Sequence, residues 1–139
     1  MKICICGGGN LGHVCAGFLA NRGHQVSILT TKPERWNPEI EIVAPDGVFT
    51  GKISLISSKP EEVIPQAETV LVCLPGYAIH DELVKIKSFL SKETIVGSVV
   101  SSTGFFFEAF KALPSNISLF GFQRVPCISR IIDYGKKAE

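Results

Sequence analysis

No run of apolar residues in this chain approaches the roughly 20 needed to cross a bilayer. Lys2 precedes a short apolar run, Ile3 to Cys6, but glycines interrupt it at once, so no export signal is read there. A cytoplasmic protein without a membrane partner is expected. An excess of one charge is missing too: 14 Lys and Arg face 13 Asp and Glu, a formal charge of +1. Nucleic-acid binders carry a basic excess or a basic stripe, so no nucleic-acid partner is expected. The cysteines lack a pattern. Cys4, Cys6, Cys15, Cys73 and Cys127 make an odd count of five with no C-x-x-C pair, and Cys4 and Cys6 share one face of a strand. They read as small buried hydrophobes in a reducing compartment. His13, His24 and His80 show no ligand spacing, so no metal site is expected. Internal repeats and low-complexity segments are absent.

What remains is a chain of 139 residues, 45% hydrophobic and 19% charged, the size and balance of one soluble globular domain. Strand and helix patterns alternate along it. Lys2 to Cys6 is a buried strand stopped at Gly7. Asn10 to Asn21 carries Leu11, Val14, Cys15, Phe18 and Leu19 at helical spacing and ends before Gly23. Gln25 to Thr30 is a second strand. Lys32 to Pro38, with two prolines and the single tryptophan, reads as a loop.

Pro45-Asp46-Gly47 marks a turn, and Glu41–Ala44 with Val48–Thr50 should form a small β-hairpin insertion around it. Lys52 to Ser57 reads as the third core strand, followed by a short acidic helix opened by Pro60. Further strands are expected at Thr69–Leu74, Thr94–Val100 and Ser118–Phe122, with helices at Tyr77–Leu90 and Phe105–Leu113. Of Phe105, Phe106 and Phe107, one ring should be exposed. Ile131 to Glu139 shows no closing element.

Alternating strands and helices with right-handed crossovers give an α/β domain, a doubly wound, mostly parallel sheet of strand order 3-2-1-4-5-6. The whole chain, residues 1–139, is read as one dinucleotide-binding domain of this Rossmann type.

The chemistry is concentrated at the first turn. Gly7-Gly8-Gly9-Asn10-Leu11-Gly12 satisfies G-x-G-x-x-G between a strand and a helix, the context that gives the pattern meaning. Gly7 permits the tight turn, Gly9 lets backbone approach a pyrophosphate, and Gly12 lets helix pack on strand. The unpaired amides of the helix, opened by Asn10 and Leu11, then face the phosphates.

The carboxylate that usually marks an NAD ribose is missing where the second strand ends. Thr30, Thr31 and Lys32 stand there, with Arg35 close behind. Two hydroxyls and two cations suit a 2′-phosphate, so NADP is favoured over NAD, with Glu34 as a stand-in acid the opposing reading. Leu74 and Pro75, ending the fourth strand, should line the point where the cofactor crosses the sheet edge. Ser101, Ser102, Thr103 and Gly104 follow the fifth strand and either touch nicotinamide and substrate or cap the next helix. His80 has only its neighbour Asp81 to orient it and reads as a surface or packing residue, so no catalytic residue is assigned.

Taken together these segments resemble the opine dehydrogenases, the octopine and nopaline dehydrogenase family. The likeness runs through Gly7 to Gly12, Ile28-Leu29-Thr30, Glu34-Arg35-Trp36, and Val72 to His80. It continues in Ile95-Val96-Gly97, Gly104-Phe105, Arg124 to Arg130 and Tyr134-Gly135-Lys136.

The resemblance implies reductive condensation of an amino acid with a 2-oxo acid, driven by hydride from NAD(P)H. It also implies a second, helical domain carrying a catalytic histidine and its aspartate, which have no counterpart in this chain. On that likeness Ser102 and Arg124 lie where the oxo acid approaches, and Arg124 either pairs with its carboxylate or anchors a turn. A chain ending here would expose the face that meets the second domain, which invites dimerisation. Two alternatives share the same opening: a stand-alone dinucleotide-binding sensor module without catalysis, and the first domain of a ketopantoate reductase or glycerol-3-phosphate dehydrogenase.

Overall fold

A computed structural model describes residues 1–139, the side chain of Thr103 excepted. In chain order its regular elements are β1 (Lys2–Cys6), α1 (Asn10–Asn21), β2 (Gln25–Leu29), β3 (Glu39–Ala44), β4 (Gly47–Lys52), β5 (Leu55–Ser57), α2 (Pro60–Val63), β6 (Thr69–Val72), α3 (Gly76–Ile86), β7 (Ile95–Ser98), α4 (Phe105–Ala112), β8 (Ser118–Gly121), β9 (Ile131–Asp133) and β10 (Lys137–Ala138).

Six strands form one sheet in the order β5-β2-β1-β6-β7-β8, and every neighbouring pair is parallel. Numbered among themselves, these strands run 3-2-1-4-5-6, the doubly wound order expected from the alternation of elements. The central strands are buried on both faces, which is why they read as continuous apolar runs. Side chains nonetheless alternate between two cores. Cys4 and Cys6 of β1 point to the side of α3 and α4, with Leu83, Ile86 and the fully buried Phe105. Ile3 and Ile5 point to the other side, with Ala16 of α1, Trp36, Ile40 and Ile42. Full burial of Phe105 alone contributes about 1.5–3 kcal/mol. Of its neighbours, Phe106 is half-buried and Phe107 is exposed, the single free ring the pattern called for.

The third core strand is shorter than the apolar run predicted. Lys52 completes β4, and the chain changes sheets at the next two residues. Ile53 N–H donates to the Pro38 carbonyl at 2.7 Å. The Ser54 hydroxyl and N–H both donate to the Val26 carbonyl, the hydroxyl at 2.6 Å. Only Leu55–Ser57 then pairs with β2.

The expected hairpin, β3–β4, is part of a second sheet of four strands in the order β4-β3-β10-β9. This corrects the reading of Ile131 to Glu139 as closing no element. The two short C-terminal strands form an antiparallel hairpin turned at Gly135 (φ +76), and β10 pairs parallel with β3. Ala138 is wholly buried, and Lys137 pairs with Glu41. The charged sequence concealed the pairing, because β10 is two residues long and its partner lies far upstream.

The second sheet packs over α1. A Cβ on Gly51 would run into the backbone of Gly17, so β4 and the helix meet backbone to backbone. Among the described residues no helix is long and apolar enough to cross a membrane.

Candidate functional site

The first turn is shaped by what its glycines leave out. Gly7 adopts φ +122, donates its N–H to the Leu29 carbonyl at 3.1 Å, and sits against the Cys73 carbonyl, where a Cβ would stand 2.7 Å away. A Cβ on Gly12 would overlap the Gly7 carbonyl oxygen, so only glycine lets α1 start this close to β1. Gly9, the N-cap, has φ −86 and ψ −170, and no side chain caps the helix. The space where its Cβ would go is open. The first amides of α1 have no partner within the helix and point, with the positive end of its dipole, into that space. Helix N-termini of this kind are suited to anionic groups.

The second sheet holds the turn from the other side. Tyr134, at the tip of the C-terminal hairpin, lies over Gly8: a Cβ there would stand 2.7 Å from the phenol oxygen and 2.8 Å from Thr30 Oγ1. Ile131 N–H donates to Asn10 Oδ1 at 3.0 Å. His13, fully buried, accepts the Gly135 N–H at Nε2 (2.8 Å). That acceptance places the ring proton on Nδ1, which faces the Gly9 carbonyl at 2.9 Å and donates to it. Its ring stacks on Trp36 with centroids 4.1 Å apart and meets Tyr134 edge-on at 4.9 Å. Burial holds the His13 pKa below the usual histidine value, the bond to Gly9 opposing it. Trp36 Nε1, beside this cluster, is buried without a hydrogen-bond partner among the described residues.

Two clefts flank the turn. One, of about 90 Å³, is lined by Gly7, Gly8, Thr30, Thr31, Leu74, Glu82 and Lys85. Thr30 is buried and its hydroxyl accepts the Lys32 N–H at 3.4 Å. Lys32 is exposed, and the Arg35 guanidinium lies over the Tyr134 ring, 4.4 Å from its centroid. Glu82 and Lys85 were not singled out from the sequence, because on a helix they read as ordinary polar positions. Burial raises the Glu82 pKa, with Lys85 acting against the rise.

The other cleft, about 440 Å³, is lined by Gly9, Asn10, Leu11, Cys73, Leu74, Pro75, Val100 and the segment around Cys127. The Cys73 thiol is hydrogen-bonded to that of Cys15 and buried, and both effects push its pKa well up, so it stays protonated. A neighbouring cavity of about 380 Å³, sharing Val100 and Val125, brings Ser102 and Arg124 together. Ser101, by contrast, spends its hydroxyl on the Phe122 carbonyl, and the Thr103 side chain lies outside the described residues.

His80 has a carboxylate partner beyond its neighbour Asp81, which corrects the sequence reading. Its Nδ1 lies 2.9 Å from Glu108 Oε2 on α4, and Glu108 also pairs with Lys111 at 3.2 Å. Those ion pairs, Lys111 foremost, lower the Glu108 pKa. The contact fastens α3 to α4, and neither residue lines either cleft beside the turn. The five cysteines are free thiols, with Cys4, Cys6 and Cys73 buried.

Comparison with known proteins agrees with this architecture. The family model described as ketopantoate reductase PanE/ApbA matches residues 3–121. Octopine dehydrogenase of Pecten maximus is 28% identical over 156 aligned positions, covering 100% of this chain and 39% of that protein. Tauropine dehydrogenase of Arabella iricolor is 28% identical, covering 97% of this chain and 38% of that protein. A solved structure of octopine dehydrogenase with NADH and pyruvate superposes with a TM-score of 0.91 at 25% identity, over 99% of this chain and 39% of that one. The chain thus spans under two-fifths of the length of these relatives, and within that span the likeness to opine dehydrogenases read from the motifs holds.

Proposed function

From the premise that the chain belongs to the ketopantoate reductase (PanE/ApbA) family, we propose that it is the NAD(P)-binding domain of an opine-dehydrogenase-like oxidoreductase. The reaction is the reductive joining of an amino acid's amine to a 2-oxo acid. One observation carries the reading: the open space at Gly9, facing the first amides of α1, lies between two clefts at the carboxyl edge of the sheet. Similarity to octopine dehydrogenase along the whole of this chain supports it.

Gly7, Gly9 and Gly12 shape the turn, and the amides of Asn10 and Leu11 hold the diphosphate. The adenosine half lies in the cleft of Thr30 and Thr31, and the nicotinamide half beside Leu11, Leu74 and Pro75. A bound dinucleotide supplies or accepts hydride at its nicotinamide ring. Arg124 pairs with the oxo-acid carboxylate, and Ser102 donates to the same substrate. Proton transfer is not assigned to this chain; the resemblance places a histidine and an aspartate on a second domain.

NADP is the better fit of the two cofactors. Lys85 lines the cleft of Thr30 and Thr31, Lys32 and Arg35 follow shortly after β2 in the chain, and such cations suit a 2′-phosphate. Glu82 is the opposing group, and its charge is offset by Lys85 beside it. We place the protein in the cytoplasm, where its thiols stay reduced. Self-association would use the exposed Phe107, Phe110 and Ile128.

The amine is left open, since octopine and tauropine dehydrogenases match at equal identity. A second reading, reduction of a 2-oxo acid without an amine, is favoured by the family model itself. The full protein incubated with NADPH or NADH, pyruvate and a panel of amino acids separates the two. A secondary-amine product, detected by mass spectrometry and dependent on the amino acid, is expected. Cofactor oxidation by oxo acids alone, with no amine-containing product, supports the second reading instead.

A further inference from the structure

The glycine turn does not stand alone, since three residues of the C-terminal hairpin touch it or the residues that follow. Tyr134 covers Gly8, Gly135 reaches His13, and Ile131, just upstream, reaches Asn10. The middle link is the informative one. A single ring accepts a hydrogen bond from the hairpin at Nε2 and donates one at Nδ1 to the carbonyl of Gly9, the residue at the proposed diphosphate site. Sequence reading passed over His13 as one of three scattered histidines.

We infer that His13 is a positioning residue through which the second sheet sets the geometry of the dinucleotide turn, and that its protonation releases that hold. The inference rests on the dinucleotide reading and adds to it a pH-sensitive element that acts through Gly9 rather than by touching the ligand. The neutral ring satisfies both bonds. A proton added at Nε2 would face the Gly135 N–H, turning an acceptor into a donor opposite a donor, and the bond is lost. The groups packed against the ring are the Trp36 indole, the Tyr134 phenol and the two backbone groups named. The nearest charge they bring is the Arg35 guanidinium over Tyr134, which opposes a second cation. Burial acts in the same direction, so the link holds at neutral pH and loosens as pH falls below the ordinary histidine range near 6.5.

Calorimetric titration of NADPH and NADH between pH 8 and pH 5 tests this, with ring-nitrogen NMR shifts and Gly135 amide exchange read on the same protein without cofactor. Affinity should be constant above neutrality and weaken on acidification by up to about tenfold per pH unit, the limit for one proton. Gly135 amide protection should be lost in parallel. His13→Gln, whose amide carries one donor and one acceptor but does not titrate, should bind within about threefold of wild type at pH 8 and show no such acid loss. His13→Phe keeps the ring and lacks both bonds, and should bind at least about tenfold more weakly at every pH.

Parallel acid losses in wild type and His13→Gln would overturn the inference, as would a Gly135 amide that stays protected while His13 takes up its proton. Failure to bind either dinucleotide at pH 8 would overturn the reading beneath it as well, so the two failures are told apart. Should His13→Phe fail to fold, the glutamine variant and the amide exchange still decide the matter.

Discussion

Replacing Gly9 by alanine should separate binding from folding. Gly9 has φ −86 and ψ −170, which alanine adopts without strain, and the added methyl meets no protein atom within 4 Å. The folded state therefore loses nothing, while the unfolded chain loses conformational freedom. That change stabilises by about 0.4–1 kcal/mol, a rise of about 1–4 °C in Tm for a chain of this size. The same methyl occupies the space in front of the α1 amides. If a diphosphate is meant to sit there, one or two charge-assisted hydrogen bonds are lost, each worth about 1.5–3 kcal/mol. Affinity should then fall by at least about tenfold. Thermal melts and calorimetric titration of the same samples measure both effects. A Gly9→Ala variant that binds NADPH or NADH as tightly as wild type would refute the assignment of the diphosphate to this turn.

Gly12→Ala should behave oppositely, since its methyl would collide with the Gly7 carbonyl; a loss of several kcal/mol is expected in denaturant melts, at the upper end for overpacking. Arg35→Ala should weaken NADPH binding by about fivefold or more and leave NADH nearly unchanged, which paired titrations would read. Stability itself should be pH-dependent through His13. Its folded pKa is lowered, so the unfolded chain binds the proton first. The contribution is complete above about pH 7 and declines as pH falls through 6.5, by at most about 1.4 kcal/mol per unit. Melts at pH 7 and pH 5.5 should show a larger loss in wild type than in His13→Gln.

The parallel sheet was legible because its strands are buried on both faces and so stand out as short apolar runs between helices. Residues 10–21 and the turn before them could be read to the residue, since Gly7 and Gly12 each answer a local steric demand. The second sheet was not legible. Its joining strand, Lys137–Ala138, is two residues with one charged, and what fixes it is pairing with Glu41 and Ile42, a contact with no local signature. His13 was missed for the same reason: helical spacing puts it on the buried side, but its partner Gly135 belongs to that hidden strand pair. The His80–Glu108 contact likewise joins two helices whose relative placement no periodicity reveals. In the candidate site, Thr30 and Thr31 were legible from their place after β2, whereas Glu82 and Lys85 join the same cleft only through the packing of α3 beside Thr30.

Calorimetric titration of the protein with NADPH and with NADH at pH 8 tests the central claim most directly. Saturable binding of one dinucleotide per chain, tighter for NADPH and weakened by Gly9→Ala, is the predicted result. Absence of heat and of any Tm shift with either dinucleotide at millimolar concentration would contradict it.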